Sequence, residues 1–344
     1  MTSIKHKIKF RSVNEIDHIV KAKETFGHAV KLPDFGKFIN GLPEVLGAKS
    51  LKNLILAMKT ARKNNKPIIL GMGAHSIKCG LTPWILALAR EGFITAVAMN
   101  GACLIHDMEL GLCGETSEDV NAHLDTGLFG SADEPGSILG KALHDEMGKT
   151  LDDEIGKTLQ DQVNGKLKEE ISTAPREEDY NINKRLGAIA SRLLSSSDIF
   201  PMKGYSLIAG LSSLNIPITF HAALGTDTVH FHPAVDWGIL GKALENDFNL
   251  FIEHVSHLDG GVYINLGSAV ILPEVFLKAL SIARNTGSKI SDFTTANMDM
   301  IQHYRPRENV LKRPGGQAIA LTGHHEIMIP LLTAALLAND SEDN

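Results

Sequence analysis

The stretch Pro67-Ile68-Ile69-Leu70-Gly71-Met72-Gly73-Ala74-His75-Ser76, read on through Phe93–Met99 to Asn100-Gly101-Ala102, decides the fold. An apolar run feeds a turn of small residues, an apolar-periodic helix follows over about Thr82–Glu91, and a second apolar run ends in a second small-residue turn. Two successive strands that each end this way are how a doubly wound sheet presents backbone N–H groups to a nucleotide. The phosphate-binding spacing G-x-G-x-x-G is absent, because Gly71-x-Gly73 is followed by Ser76. The stretch therefore suggests a dinucleotide or another anionic ligand without its usual glycine fingerprint.

Working outward, Leu51, Leu54, Ile55, Met58 and Ala61 predict an amphipathic helix over Leu51–Lys63. Beyond residue 186 the rhythm continues. Helices are expected over Leu186–Leu194, Ser206–Leu214, Phe248–Leu258, Val275–Arg284 and Ile329–Leu337. Strands are expected over Ile218–Phe220, Gly261–Leu266, Ser291–Thr295 and Gln317–Thr322. Alternating strands and helices imply a largely parallel sheet covered on both faces, with ligands beyond the carboxyl ends of the strands. Those ends are Gly71–Ser76, Asn100–Ala102, Ala223–Asp227, Gly267-Ser268, Thr295–Asp299 and Gly323–Glu326.

Residues 1–50 read as an arm that packs on its own domain or on a neighbour, and residues 51–344 as a single α/β domain. A helical, charged excursion is expected at about 120–185. Within it Asp145-Glu146-Met147-Gly148-Lys149-Thr150-Leu151 recurs as Asp153-Glu154-Ile155-Gly156-Lys157-Thr158-Leu159. The two Gly-Lys-Thr triplets are not phosphate loops, since Leu143 and Leu151 stand where the leading glycine belongs, and the repeat reads as a solvated helix.

The bulk numbers exclude several classes of function. The 344 residues are 43% hydrophobic and 22% charged, ordinary for a globular chain with a large core. A net charge of −6 gives no basic excess to drive nucleic-acid binding. There is no run of about 18 apolar residues to span a membrane. The basic N-terminus has no apolar core behind it, so no secretory signal is expected. The odd count of three cysteines, Cys79, Cys103 and Cys113, fits reduced thiols in a cytoplasmic setting.

Several residues are candidates for chemistry. Asp227 and Asp299 fall just past strand ends, where carboxylates can grip a cationic substrate. Asp107 follows Asn100-Gly101 and either satisfies helix N–H groups or orients a cofactor. His230-x-His232 would place two imidazoles on one side of a strand. His324-His325-Glu326 is a dense polar cluster that, with His303, would serve a hydrolase or lyase. No HExxH motif or paired zinc spacing is present, so no metal is expected. A nucleophilic lysine must shed its proton, and Arg307 and Arg313 flank Lys312.

The strand-end residues taken together resemble the deoxyhypusine synthase family over about residues 50–135 and 185–325. The match rests on Gly73-Ala74-His75-Ser76-Ile77-x-x-Gly80, on Met99-Asn100-Gly101-Ala102 with Asp107, and on Ile216-Pro217-Ile218 leading to Asp227 with Phe231-His232. It continues in Leu266-Gly267-Ser268-Ala269-Val270 and in Thr294-Thr295-Ala296 with Arg305-Pro306-x-Glu308-x-Val310. The resemblance implies a Rossmann-like parallel sheet, bound NAD, and a homotetramer. NAD contacts would come from Ala74, His75, Ser76, Asn100, Gly101, Asp107, Gly267, Ser268, Thr295 and Ala296. The implied reaction oxidises spermidine or a related polyamine, carries the aminobutyl group as an imine on a lysine, and delivers it to a protein lysine or, in a homospermidine synthase-like variant, to a small amine. Asp227, Glu308 and Asp299 would hold the donor, with His303 and Lys312 in the catalytic set. A non-catalytic nucleotide-binding protein is the remaining alternative. The family places a tryptophan two residues before its lysine. Here Lys312 occupies the tryptophan position and Pro314 the lysine position, so Lys312 serves only if the loop shifts by two residues.

Overall fold

A computed structural model describes residues 4–29, 35–148 and 182–338. Its centre is a six-stranded, all-parallel sheet of β2 (Ile68–Met72), β3 (Ala96–Asn100), β5 (Ile218–His221), β6 (Val262–Leu266), β7 (Thr294–Asp299) and β8 (Gln317–Thr322). The spatial order is β5-β3-β2-β6-β7-β8. The chain thus builds outward from β2 in one direction and then returns to build outward in the other. This is the order of a doubly wound dinucleotide-binding sheet, with its topological switch between β2 and β6. The expectation of a Rossmann-like parallel sheet with helices on both faces holds.

The strands follow from their side chains. β2, β6 and β7 are buried along their whole length under two helical layers, β2 and β6 as mainly apolar runs and β7 with polar residues among its six. β8 alternates exposed and buried residues and forms one edge. One face is covered by α1 (Leu46–Lys63), α2 (Thr82–Arg90), α3 (Gly101–Cys113), α5 (Leu186–Ser195), α6 (Leu207–Ser213) and α9 (His325–Leu337). α7 (Trp237–Ser256) and α8 (Ile271–Asn285) cover the other. There Phe251, Val255, Phe276 and Leu280 pack with Tyr263, which stacks on Phe276 with ring centroids 3.8 Å apart.

Three elements differ from the sequence reading. α7 begins eleven residues before the expected Phe248, because Asp236 caps it by accepting the Ile239 N–H at 2.9 Å. β7 runs on through Asn297 to Asp299, since its backbone pairs with β6 on one side and β8 on the other. The polar residues that seemed to end the strand are instead wired together. Asn265 Nδ2 donates to Asn297 Oδ1 (2.7 Å) and Ser268 O (2.9 Å), Asn297 Nδ2 donates to Gln302 Oε1 (2.8 Å), and Gln302 Nε2 donates to Leu321 O (3.1 Å). Third, part of the expected excursion is core: α4 (Asp133–Leu143) and the turn after it bury Leu139, Leu143 and Met147. The second copy of the repeat lies outside the described residues.

The N-terminal segment packs on this same body. β1 (His18–Lys21) pairs antiparallel with β4 (Glu115–Glu118), and Val13, Ile16, Ala22 and Ile39 are buried.

Asp247 ties the β5 edge together. Its carboxylate, wholly buried on α7, accepts the N–H groups of Gly187 (2.9 Å) and Phe220 (3.0 Å) and faces the Arg185 guanidinium at 3.4 Å. Burial pushes the acid up to about 7 against those bonds. Asp247→Ala leaves two buried donors and a buried cation short of their acceptor, so it should cost about 3 kcal/mol. A urea titration should show a lower midpoint at unchanged m-value.

Candidate functional site

The carboxyl ends of the strands form the crevice, and its floor is set by a backbone contact. Gly73 N–H donates to Leu266 O at 2.9 Å, and a Cβ at residue 73 would run into Gly267 O. The β2 and β6 ends therefore close on each other, and the missing side chain of Gly73 is taken up by Gly267. Gly267 itself has φ +62°, which favours glycine, and a Cβ there would strike the His325 ring. His325, buried at the start of α9, lies over Gly267 with Nε2 3.3 Å from Met298 O and 3.9 Å from Asp299 Oδ1.

The turn after β2 carries Ala74, Ser76 and His75. Ala74 and Ser76 are buried, and Ser76 Oγ donates to Gly73 O at 3.0 Å, stapling the turn. His75 is half-buried. Its Nε2 is 3.3 Å from Cys79 Sγ, which lies 3.9 Å from Glu326 Oε2 of α9. Burial, then the nearby His325 and Lys78, push the His75 imidazole below its ordinary value. Burial and then Glu326 push the Cys79 thiol up. After β6, Ser268 Oγ accepts the Leu272 N–H at 3.2 Å while the cap residue Val270 makes no side-chain bond to α8. The loops also expose apolar side chains: Leu224 after β5, Val270 after β6, and Met300 and Ile301 after β7.

On the β3 side, Asn100 caps α3 by accepting the Cys103 N–H at 3.1 Å. Asp227 presses against the first residue of that helix, where a Cβ on Gly101 would collide with its Oδ2. That oxygen is buried and has no hydrogen-bond partner, and burial raises the acid to about 6. Asp227 lines a cavity of about 260 Å³ with Lys78, His106, Glu109, Glu118, Phe129 and Thr226. Two of the other acids are committed. Glu109 accepts from Thr116 and lies 3.4 Å from His106 Nδ1; although burial opposes it, His106 holds this carboxyl below its ordinary value. Glu118 pairs with Arg11 at 2.8 Å and accepts the Gly130 N–H at 2.9 Å.

Several expected site residues are elsewhere. Asp107 is fully buried and faces α6, accepting from Ser206 Oγ (2.5 Å), Leu207 N–H (2.7 Å) and Ile208 N–H (3.1 Å). It is a cap on a second helix rather than a cofactor contact. Thr295 and Ala296 are the second and third residues of β7, paired on both sides inside the sheet and away from the strand end. Lys312 is 76% exposed and pairs at 3.6 Å with Glu308. β7 and β8 are parallel, so the chain between them must run from the carboxyl edge to the amino edge. Lys312 stands near the end of that run, beside Pro314, whose carbonyl accepts from Arg284 at the far end of α8 (2.9 Å). Lys312 thus stands on the way out of the crevice, while Glu308 adjoins Asn309, whose Nδ2 donates to Glu274 Oε1 in the first turn of α8 (2.8 Å). His303 is exposed at the turn into Tyr304–Pro306. His230 and His232 lie in and after a 3₁₀ turn instead of along a strand, His230 accepting from Gly225 N–H (3.2 Å) and His232 donating to Asp133 (3.1 Å). Asp299 stays at the crevice beside His325.

The residues missed by sequence reasoning are Lys78, Cys79 and the pair His106 and Glu109. The i, i+4 spacing of His75 and Cys79 was the available signal.

No family model and no curated protein sequence matches the chain. Solved structures resemble it in fold at low similarity. ArgZ, an arginine dihydrolase from the ornithine-ammonia cycle in Cyanobacteria, is 12% identical over 85% of this chain with TM-score 0.46, and AgrE, solved with ornithine and NAD+, is 12% identical over 85% with TM-score 0.47. This chain spans 33% and 34% of their lengths. A protein assigned as a deoxyhypusine synthase from Entamoeba histolytica is 11% identical over 87% of this chain and 94% of its own, with TM-score 0.40.

The Asp227 carboxyl carries a checkable consequence. Its acid is about 3.9 unfolded and about 6 folded, so between those values the folded state holds the extra proton. Stability from this group is therefore highest below about pH 4 and falls as pH rises to about 6. Asp227→Asn should remove that decline and stabilise the protein at pH 7 by on the order of 1–2 kcal/mol, read by denaturant titrations across the pH range.

Proposed function

We propose that this chain is an NAD-dependent enzyme that oxidises a small primary or secondary amine of polyamine type. The observation that carries the reading is Asp227, a buried carboxylate that has one oxygen without a hydrogen-bond partner and lines a cavity sized for a small molecule. A buried acid in this position is satisfied by a cation, and an ammonium group supplies both charge and hydrogen bonds.

The sheet order supports the cofactor. A doubly wound sheet takes its dinucleotide at the switch point, here between β2 and β6. The residues there fit with one restriction. Gly73 is filled by Gly267 and the start of α3 is taken by Asn100 and Asp227. Gly267-Ser268-Ala269 and the start of α8 are therefore the phosphate-holding elements, and the exposed Val270, Met300 and Ile301 suit a flat ring. Bound there, NAD would supply a hydride acceptor.

Asp227 holds the donor ammonium, and oxidation of the carbon beside the nitrogen leaves an imine. Lys78 lines the same cavity, so it takes the role the resemblance gave to Lys312. Its amine passes a proton to the departing nitrogen and adds to the imine carbon, the original amine leaves, and the group rests on Lys78 as an imine until an acceptor amine displaces it. A homotetramer and a protein acceptor remain parts of this proposal to be tested with it.

Incubation with NAD and labelled spermidine should produce NADH absorbance, and borohydride should fix label on the protein. Lys78→Ala should abolish the fixed label while Lys312→Ala leaves it unchanged. Asp227→Asn should weaken the amine about 10–100-fold, as expected for a buried charged hydrogen bond worth about 1.5–3 kcal/mol. Because Asp227 must be ionised to hold a cation, amine affinity should rise with pH through about 6. Failure of NAD to bind at millimolar concentration would sink the reading.

A further inference from the structure

We propose that His75, Cys79 and Glu326 form a binding site for a zinc-type divalent transition metal, distinct from the amine cavity. Their ligand atoms, one from each side chain, all lie within 4.8 Å of one another. The two distances through sulfur are 3.3 Å to His75 Nε2 and 3.9 Å to Glu326 Oε2. Tetrahedral zinc with its usual bond lengths of about 2.3 Å to sulfur and about 2.0 Å to nitrogen or oxygen separates such ligands by about 3.5 Å. The cluster therefore needs only small side-chain adjustments to close on an ion.

Its construction is local and firm on the protein side. His75 opens the single helical turn His75–Lys78 and Cys79 caps it, its N–H donating to His75 O at 2.9 Å, so the two side chains stack on one face. Glu326 lies in the first turn of α9, which packs against α2 directly after this turn. Around the trio, His324 Nδ1 sits 3.7 Å from Glu326 Oε1, and the His325 ring lies edge-on to His75 at 5.2 Å. His325 is buried and its Nδ1 has no hydrogen-bond partner, so a polar group stands unspent beside the cluster.

The donor set selects the ion. A neutral imidazole, a thiolate and a carboxylate sum to two negative charges, which match a divalent cation. The thiolate favours zinc, cobalt or iron(II) over magnesium and calcium. Lys78 is the nearby opposing charge; Glu326 and Asp299 act against it at His75. Three protein ligands leave a fourth position for water or a substrate oxygen, the pattern of an open rather than a closed zinc site. Metal entry displaces the Cys79 proton, so binding releases a proton and strengthens as pH rises.

The test is cobalt titration of the full-length protein after chelator treatment. The expected result is one cobalt per chain, with thiolate-to-cobalt charge-transfer absorption and the intense visible bands of four-coordinate cobalt, both displaced by zinc. Cys79→Ser should abolish the charge-transfer band, Cys113→Ser should leave it intact, and Glu326→Gln should weaken binding about tenfold or more while the band persists. Circular dichroism of each variant separates loss of a ligand from loss of the fold. Cobalt that binds without the charge-transfer band, a band that survives in folded Cys79→Ser, or no binding at micromolar cobalt would each overturn the site. None of these readouts involves NAD or amine, so failure here leaves the oxidation reading standing, and its failure leaves this site standing.

Discussion

The crevice depends on Gly73 meeting Gly267 at backbone distance. That approach has no room for a side chain, so the β2 and β6 ends are locked together at the point where a doubly wound sheet usually opens. The chain leaving β2 then forms a short turn before α2 begins, and this turn carries His75, Lys78 and Cys79. His325 settles over Gly267 from the other side and brings Glu326 with it. One close contact between two glycines thus determines which polar side chains share the mouth of the sheet. It also explains the missing glycine fingerprint. The space a phosphate would claim above β2 is used for packing, and the remaining small-residue turn lies after β6.

Three buried aspartates show how the same residue type divides between structure and chemistry. Asp107 accepts three hydrogen bonds from the start of α6, and Asp247 accepts two from backbone and faces Arg185. Each is a fastener whose acceptor capacity is directed at its own fold. Asp227 is buried less completely, one of its oxygens has no partner, and the residue lines a cavity. Burial of an unpaired carboxylate costs stability at neutral pH, and such a cost is commonly found where a ligand repays it.

The legibility of the fold and the opacity of part of the site have separate causes. β2, β6 and β8 were readable because apolar runs bounded by glycine have few other uses, and α1 because its apolar spacing has the helical period. The extension of β7 is hidden by Asn297 and Asp299, polar residues held inside by partners the sequence does not pair with them: Asn265 and Gln302 complete the hydrogen bonds of Asn297, and Asp299 accepts the Met300 N–H. Asp107 could not be assigned from its neighbours, since Ser206 lies 99 residues away in sequence. Lys312 shows a topological effect: its local chemistry suits catalysis, but it lies exposed on the parallel crossover that leads toward the amino edge of the sheet. Asp227 was reached by counting past a strand end, a rule that needs only the direction of the chain.

The amide relay from Asn265 to Leu321 has a sense as well as a strength. Every link donates in one direction, from β6 through β7 to the loop at Gln302 and on to β8. Chains of aligned amides polarise one another, so the links reinforce each other when all are made. The ends of β6, β7 and β8 consequently behave as one stiff plate, while β3 and β5 reach the mouth on the other side of the switch without sharing in it. The mouth of the sheet therefore has an anvil and a jaw. Any adjustment to a guest falls on the side that carries Asp227, and the side that carries Ser268 and Asp299 keeps its shape.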